Sequence, residues 1–252
     1  MIARKIKSLF APKPAHAVPP GQRVYAIGDI HGRLDLLDQL LLRIEEDTAA
    51  RGGEAQTRLV FLGDYVDRGP DSAGVVERLL ELRAGPIPTR FLAGNHEEVF
   101  LKAIGGDDKL VRYFIRIGGR PTILSYGFSE EEYARLSFGE VGAELLHRVP
   151  RRHVDFLSTL EDLIEVGDYV FVHAGLRPGV AFGEQKIGDL RWIREDFLHS
   201  GANHGKMVVH GHTITDDVDL RPNRIGIDTG AYSSGRLTAV GLEGEARWFL
   251  ST

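Results

Sequence analysis

The sequence predicts an α/β fold in which two β-sheets form a sandwich flanked by helices, in four layers (α/β/β/α). In the first hundred residues, short apolar runs alternate with amphipathic helical patterns, which is typical of α/β units. From about residue 168, apolar runs follow one another with few helical patterns between them, which indicates a second sheet. Most runs end in glycine beside aspartate, asparagine or histidine, so polar side chains are expected along one edge of the sandwich.

The composition fits a single folded domain. A chain of 252 residues with 42% hydrophobic content can bury a full core. The net charge of -5 and the pI of about 6.1 give no broad basic surface, so neither nucleic acid nor a membrane is expected as a partner. Because the chain has no cysteine, any metal must rest on His, Asp, Glu or Asn. No stretch resembles a secretion signal or a membrane span, and we expect a cytoplasmic location.

The domain boundaries follow from shifts in pattern. Residues 1–22 carry four prolines and little periodicity, so they are expected to form a flexible tail before a catalytic domain at 23–252. Between about 107 and 160, helical patterns dominate and are broken by Gly118-Gly119 and Pro150. We interpret this stretch as a mostly helical insertion beside the site. It could serve only to pack against the sheet, or it could shape the substrate site.

The first half of the domain reads as three strand-turn-helix units. Apolar runs at 24–27, 59–62 and 90–93 predict buried strands. A helix is predicted after each strand, beginning near residues 34, 71 and 97. After the first two positions, leucine or valine recurs at helical spacing, and at the third, acidic residues suit the first turn of a helix. In the second half, strands are predicted at 168–172, 206–209, 224–227, 237–240 and 246–250. They lead us to expect a second, largely antiparallel sheet.

Five polar motifs follow these strands. Asp29 and His31 stand two positions apart in extended backbone, so their side chains point to one side, and both types bind divalent metals. Any one motif could be an ordinary polar turn, but five in this order indicate a metal centre at the carboxyl ends of the strands. The motifs are Gly28-Asp29-Ile30-His31-Gly32, Gly63-Asp64-Tyr65-Val66-Asp67-Arg68-Gly69, Gly94-Asn95-His96-Glu97, His173-Ala174-Gly175 and Gly211-His212-Thr213.

This series resembles the phosphoprotein phosphatase family of calcineurin-like metallophosphoesterases, and closely its compact bacterial and phage branch. The similarity covers roughly residues 23–230. It implies two divalent ions per chain, with manganese favoured and iron or zinc possible. By this resemblance Asp29 and His31 bind the first ion, Asp64 bridges both ions, and the second ion is bound by Asn95, His173 and His212. His212 is preferred over His210, which is left as a wall or hydrogen-bonding residue.

The resemblance also implies the catalytic residues. His96 would donate a proton to the leaving alkoxide and Asp67 would hold it, although the two could instead form a merely structural hydrogen bond. Arg68 and Arg194 would clamp the phosphate, because a guanidinium matches two phosphate oxygens at once. The alternative for Arg194 is a surface salt bridge, in which case Arg191 would replace it as a clamp.

The function implied is metal-dependent hydrolysis of a phosphomonoester by a hydroxide that bridges the two ions, most specifically by a serine/threonine protein phosphatase. Its partner would be a phosphorylated protein or peptide, and the absence of the long tails of eukaryotic members implies no regulatory subunit. The alternative is a diadenosine tetraphosphate hydrolase, against which stands Asp67, since those enzymes typically lack that carboxylate. A non-catalytic phosphate-binding or scaffold protein is less supported, because every ligand is present. Tyr232 follows a loop unlike the Ala-Pro-Asn-Tyr loop of eukaryotic members, and it receives no role.

Overall fold

The computed structural model describes residues 16–252. Its strands form two sheets of five strands each. The strands of the first sheet are β1 (Gln22–Ile27), β2 (Gln56–Phe61), β3 (Thr89–Phe91), β9 (Thr238–Glu243) and β10 (Ala246–Ser251), in the order β10-β9-β1-β2-β3. The strands β1, β2 and β3 run parallel, whereas β9 is antiparallel to both β1 and β10. The three parallel strands therefore bring the turns after residues 27, 61 and 91 to one edge.

The second sheet is mixed. Its strands are β4 (Leu163–Val166), β5 (Tyr169–Val172), β6 (Met207–His210), β7 (Asp219–Leu220) and β8 (Arg224–Gly226), in the order β4-β5-β6-β8-β7. The expectation of a largely antiparallel second sheet is wrong, because the central strands β5, β6 and β8 are parallel and only the edge strands are antiparallel. The C-terminal hairpin β9–β10 also joins the first sheet, where it covers the free edge of β1.

Alternation along β1 assigns its side chains to two cores. Val24 and Ala26 face the second sheet and pack with residues such as Phe171 and Val209 between the sheets. Tyr25 and Ile27, which alternate with them, face the helices on the other side. Because side chains alternate with a period of two along a strand, the two cores are separated by one layer of backbone. This is the expected α/β/β/α sandwich.

Three helices follow the parallel strands of the first sheet: α1 (Leu34–Arg51), α2 (Ser72–Ala84) and α3 (Asn95–Ala103). The carboxylate of Asp71 caps α2 by accepting a hydrogen bond from the backbone N–H of Gly74. Buried leucines and valines of α1 and α2 pack on the sheet, as their helical spacing predicts. The polar motifs at 28–32 and 63–69 lie between a strand and the helix that follows it, and Asn95 is the first residue of α3.

The stretch from 108 to 158 is helical. It contains α4 (Asp108–Phe114), a π-helical turn (Ile115–Gly119), α5 (Arg120–Ser125), α6 (Glu130–Arg135), α7 (Phe138–Arg148) and α8 (Arg151–Ser158). Gly118 within the π turn has φ 118°, a conformation that only glycine adopts easily. Three short helices follow in the second half, α9 (Ile187–Trp192), α10 (Glu195–Leu198) and α11 (Ala231–Ser234). Of these, α9 and α10 pack on the outer face of the second sheet.

The N-terminal boundary lies earlier than expected. Val18 is only 2% exposed, and its N–H donates to the carbonyl oxygen of Gly244 at 3.0 Å. Ala17 donates its N–H to Asp168 at 3.0 Å. The expected tail at 1–22 is therefore wrong for residues 17–22, while the part at 1–15 lies outside the described residues. Within residues 16–252, no helix is both long and apolar enough to cross a membrane. The cytoplasmic location stays a prediction.

Candidate metal centre

Two groups of buried side chains meet where the strand ends of both sheets converge. Ligand-type atoms of His31, Asp64 and His96 lie within 4.8 Å of one another, and so do those of Asp64, His173 and His212. Asp64 belongs to both groups. Its Oδ1 is 3.3 Å from Nε2 of His173 and its Oδ2 is 3.5 Å from Nε2 of His31. One carboxylate thus spans two adjacent sets of nitrogen donors, as a ligand shared by two ions would.

The turns that carry these side chains are strained. Five non-glycine residues have positive φ in the described part of the chain, between 47° and 74°. All five belong to the predicted site: His31, Asp64, Asp67, Arg68 and His212. Such conformations cost of order 1–3 kcal/mol each and persist only where the surroundings enforce them. Their concentration at one place marks this edge of the sandwich as the functional one.

The two histidines of the strand ends are oriented in the same way. Nδ1 of His31 lies 2.8 Å from the carbonyl oxygen of Val66, and Nδ1 of His173 lies 2.8 Å from that of Leu62. A carbonyl oxygen can only accept, so each Nδ1 carries the proton. Each Nε2 therefore presents its lone pair to the cluster, which is the arrangement of a metal-ligating histidine.

Burial governs the protonation of the cluster. It is the main cause that lowers the pKa of His173 to about 4, and it also lowers the pKa of His31 and of His212. Burial, together with the charges of Asp228 and Asp64, raises the pKa of Asp29 well above its usual value. The pKa of Asp64 is raised chiefly by burial. The histidines are thus neutral and able to bind a cation, while nearby positive charge such as that of Arg68 offsets the burial of the carboxylates only in part.

The donors fit two divalent ions. The atoms Asp29 Oδ1 and His212 Nε2 are buried without a hydrogen-bond partner among the described residues. Asn95 Oδ1 lies 3.0 Å from Nε2 of His173, so the amide oxygen faces the second group. Carboxylate, imidazole and amide oxygen together suit Mn²⁺, Fe²⁺ or Zn²⁺. All six predicted metal ligands are therefore at one place, although the number and identity of the ions remain predictions.

The geometry separates the two candidate histidines of the Gly211 turn. His212 lies in the second group, with Nδ1 3.2 Å from Nε2 of His173. His210 lies outside both groups and packs edge-on against Phe197, with ring centroids 5.1 Å apart. Burial lowers the pKa of His210 to about 4. This placement supports His212 as the ligand and leaves His210 as part of the wall.

The Asp67–His96 pair forms a short hydrogen bond of 2.6 Å between Oδ2 and Nδ1. Arg68 donates from Nη2 to Nε2 of His96 at 3.0 Å and from Nη1 to Nε2 of His31 at 3.0 Å. Since Nε2 of His96 accepts, its Nδ1 carries the proton that Asp67 holds. Burial raises the pKa of Asp67 to about 8 and lowers that of His96. The imidazole is thus oriented by Asp67, with Nε2 pointing into the site.

The two predicted phosphate clamps lie on opposite sides of the cluster. Arg68 is half-buried between His31 and His96, whereas Arg194 is exposed and donates to the hydroxyl of Thr213 at 3.3 Å. Arg191, the alternative to Arg194, is held by Asp162 at 2.7 Å and lies 3.5 Å from Glu98. Arg191 is thus paired with carboxylates, and Arg194 is the better placed of the two to reach a phosphate.

The helical stretch has a role that neither expectation contained. The hydroxyl of Thr122 in α5 donates to Oδ1 of Asp67 at 2.7 Å and accepts the N–H of Asp67 at 2.9 Å. The carbonyl of Gly118 accepts the N–H of Arg68 at 2.9 Å, and a Cβ at Gly118 would lie only 2.8 Å from Cγ of Arg68. The stretch therefore fixes the turn that carries Asp67 and Arg68, beyond packing on the sheet.

Sequence reasoning missed three residues of the site: Glu97, Thr122 and Asp228. Glu97 is 1% exposed and accepts the backbone N–H groups of Asp64, Tyr65, Val66 and Gly94 at 2.7–3.2 Å. Burial and the charge of Asp64 raise its pKa to about 7. The motif contains Glu97, but only the turn geometry shows that it holds the turn after β2. No local signal marks Thr122, whereas the Asp228-Thr229-Gly230 turn after β8 was visible in the sequence.

Residues 22–232 match the calcineurin-like phosphoesterase family, so the chain belongs to this family of metallophosphoesterases. Among individual proteins, it is similar to the bis(5'-nucleosyl)-tetraphosphatase PrpE (asymmetrical) of Bacillus subtilis. The two are 29% identical over 235 residues, which cover 84% of this chain and 87% of the relative.

Solved structures agree with the fold. A putative diadenosine tetraphosphatase superposes with a TM-score of 0.62 at 24% identity, covering 94% of this chain and 98% of the other. A protein serine/threonine phosphatase of Saccharomyces cerevisiae superposes with a TM-score of 0.53 at 16% identity, covering 99% and 87%. These likenesses show the fold alone, which both kinds of enzyme share.

Proposed function

We propose that this chain hydrolyses bis(5'-nucleosyl) tetraphosphates unequally, into a nucleoside monophosphate and a nucleoside triphosphate. The observation that carries the proposal is the similarity to an asymmetrical tetraphosphatase over 84% of this chain and 87% of the relative. This reverses the order expected from the sequence, in which serine/threonine phosphatase activity came first. The metal-dependent phosphoesterase chemistry is common to both readings.

The chemistry proposed for the site depends on residues whose positions are described above. We propose that Asp29, His31 and Asp64 hold a first divalent ion, and that Asp64, Asn95, His173 and His212 hold a second, with Mn²⁺ favoured. When bound, such ions polarise a phosphoryl oxygen and lower the pKa of water enough to supply a nucleophile. Arg68 would exchange its two histidine contacts for oxygens of the phosphate under attack, since a charged oxygen is the stronger acceptor.

The surroundings leave room for the rest of a dinucleotide. A cleft of about 690 Å³ opens beside Arg68 and is lined by Arg33, Pro70, Asp71 and Tyr232. The ring of Tyr232 is 36% exposed and lies 4.8 Å from the guanidinium of Arg68. We propose that the nucleoside next to the cleaved phosphate occupies this cleft. Arg194, exposed on the other side, would contact the remaining phosphates.

A phosphoprotein phosphatase is the second candidate, and the Asp67–His96 pair favours it. A seryl or threonyl alkoxide leaves poorly unless it is protonated, and His96 presents Nε2 to the site while Asp67 holds Nδ1 at 2.6 Å. Cleavage of a phosphoanhydride needs this proton less, because its leaving group is itself a phosphate. The pair would therefore contribute less to tetraphosphate cleavage than to phosphoprotein hydrolysis.

Substrate competition at equal Mn²⁺ tests the proposal. Initial rates are measured with diadenosine tetraphosphate, a phosphoserine peptide and a phosphotyrosine peptide, and nucleotide products are separated by ion exchange. We expect the highest kcat/KM for the dinucleotide, with AMP and ATP as products. A higher kcat/KM for either peptide would favour the phosphatase, and equal formation of two ADP molecules would contradict the unequal cut. Asp64→Asn protein prepared in parallel controls for contaminating phosphatases.

A further inference from the structure

Asp228 places a second carboxylate beside Asp29 at the first-ion side of the cluster. It follows β8 at the end of the second sheet and is 2% exposed. Its Oδ1 accepts the backbone N–H of Gly230 at 2.9 Å, so one of the two carboxylate oxygens has a hydrogen-bond partner. Its Oδ2 is buried and has no hydrogen-bond partner among the described residues.

Asp29 mirrors this arrangement from the first sheet. It is also 2% exposed, its Oδ2 accepts the N–H of His212 at 2.9 Å, and its Oδ1 has no partner. The two turns that carry these carboxylates touch, because a Cβ on Gly28 would lie only 2.6 Å from the carbonyl oxygen of Ile227. The charge of Asp228 accordingly raises the pKa of Asp29. Gly211 packs directly against the carboxylate of Asp29, because a Cβ on Gly211 would collide with Oδ1 of Asp29.

The charges of Arg68 and Arg194 offset that of the pair only in part, because both arginines direct their hydrogen bonds elsewhere. Arg68 directs its hydrogen bonds to His31 and His96, and Arg194 donates to the hydroxyl of Thr213. Two buried carboxylates that face each other with one free oxygen apiece are costly, since desolvation remains the largest influence on both despite the nearby arginines. Either a proton or a cation must lie with them.

Glu97 shows how this protein satisfies a buried carboxylate that needs no ion. It lies at the same edge of the sandwich and is equally buried, yet both of its oxygens accept backbone N–H groups, four in total. Asp29 and Asp228 receive one N–H each and keep one oxygen free. Asp29 accepts the N–H of the predicted ligand His212, and Asp228 belongs to the turn that lies against Gly28, so a cation is the partner consistent with the surroundings.

We propose that Asp228 is a further ligand of the first divalent ion, which it shares with Asp29, His31 and Asp64. The first ion would then be held by three carboxylates and one imidazole, and the second sheet would contribute to both ion sites. This inference does not depend on whether the substrate is a dinucleotide or a phosphoprotein.

The test is Mn²⁺ binding by Asp228→Asn, in which the amide oxygen can still accept from Gly230. Calorimetric titration of the metal-free protein should show the Kd of one of two sites raised about 10- to 100-fold. Thermal unfolding supplies a readout independent of activity: the metal-free variant should melt no lower than the wild type, because a repulsive pair is relieved, while its gain in Tm with Mn²⁺ should shrink. Asp216→Asn, which removes an exposed carboxylate of the neighbouring loop, is the matched control and should leave both Kd values unchanged.

Two results would overturn the proposal. If Asp228→Asn left both Mn²⁺ dissociation constants within twofold of the wild type, Asp228 would share a proton with Asp29 instead of an ion. If it lowered the Tm of the metal-free and the loaded protein equally, Asp228 would serve only the turn to Gly230. Should the Asn variant fold poorly, Asp228→Ser retains an acceptor for the Gly230 N–H and is subject to the same comparison.

Discussion

The two sides of the metal-binding cluster differ in the charge of their donors. The first side is rich in carboxylate, with Asp29 and the adjacent Asp228 beside His31, whereas the second side offers the neutral donors Asn95, His173 and His212. Asp64 contributes the only carboxylate common to both groups. Hard oxygen donors suit Mn²⁺ and Mg²⁺, and imidazoles suit Zn²⁺ and Fe²⁺. The two sides therefore favour different ions, and ions bound at the two sides would not be equivalent.

The largest effect is expected when the shared residue is changed. Asp64→Asn removes the charge that screens the two ions from each other, so kcat/KM should fall by at least about 10⁴-fold, the scale seen when one member of a catalytic unit is lost. Metal content after dialysis, measured by mass spectrometry, should fall as well. Ample turnover at saturating Mn²⁺ would mean that the two sides act independently.

The next effect separates His96 from the metal ligands. His96→Asn should cost about 10²- to 10⁴-fold with a phosphoserine peptide, the usual contribution of a general acid. It should cost much less with nitrophenyl phosphate or a dinucleotide tetraphosphate, because those leaving groups need no proton. The measurement is kcat/KM for the three substrates at one pH. Equal slowing of all three with normal metal content would assign His96 to positioning the phosphate.

Matched variants of the two sides test the difference in their donors. Asp29→Asn should weaken Mn²⁺ more than Zn²⁺, and His212→Asn should weaken Zn²⁺ more than Mn²⁺, each by about 10- to 100-fold for the more affected ion. Competition titrations of the metal-free variants with both ions measure this. The same order of ion preference in both variants would show that the sides are chemically alike.

The smallest effect concerns His210, which lies beside the second side without belonging to it. Its pKa of about 4 is below the ordinary value of 6.5, so the unfolded chain binds a proton that the folded chain excludes. Stability should therefore fall as pH drops from 6.5 towards 4 and be unaffected above 6.5. His210→Leu should remove about 2 kcal/mol of this loss between pH 6.5 and 4.5. The measurement is the free energy of unfolding in urea, taken for the metal-free wild type and variant at several pH values. If the variant lost as much stability between pH 6.5 and 4.5 as the wild type, the lowered pKa of His210 would be contradicted.

The strands and the metal-ligand motifs could be predicted because each is local. Alternating apolar residues around Val24, and glycine, aspartate and histidine at spacing two, are visible in a few residues of sequence. The pairing of β9 with β1 could not be predicted, because it depends on which strand edge remains free. Thr122 could not be found either, since it contacts Asp67 across 55 positions of the chain. Such contacts require the packed structure.

Glu97 has a consequence for how the protein acquires its activity. The N–H groups of Asp64, Tyr65 and Val66 find their acceptor only when the start of α3 lies against the turn after β2. That carboxylate helps to keep Asp64 at φ 51°, together with the N–H groups of Ile30 and His31 that donate to the carbonyl oxygen of Asp64. We therefore expect Asp64 to reach the conformation seen here only once α3 has docked against the turn. Metal binding at Asp64 should then accompany the completion of folding.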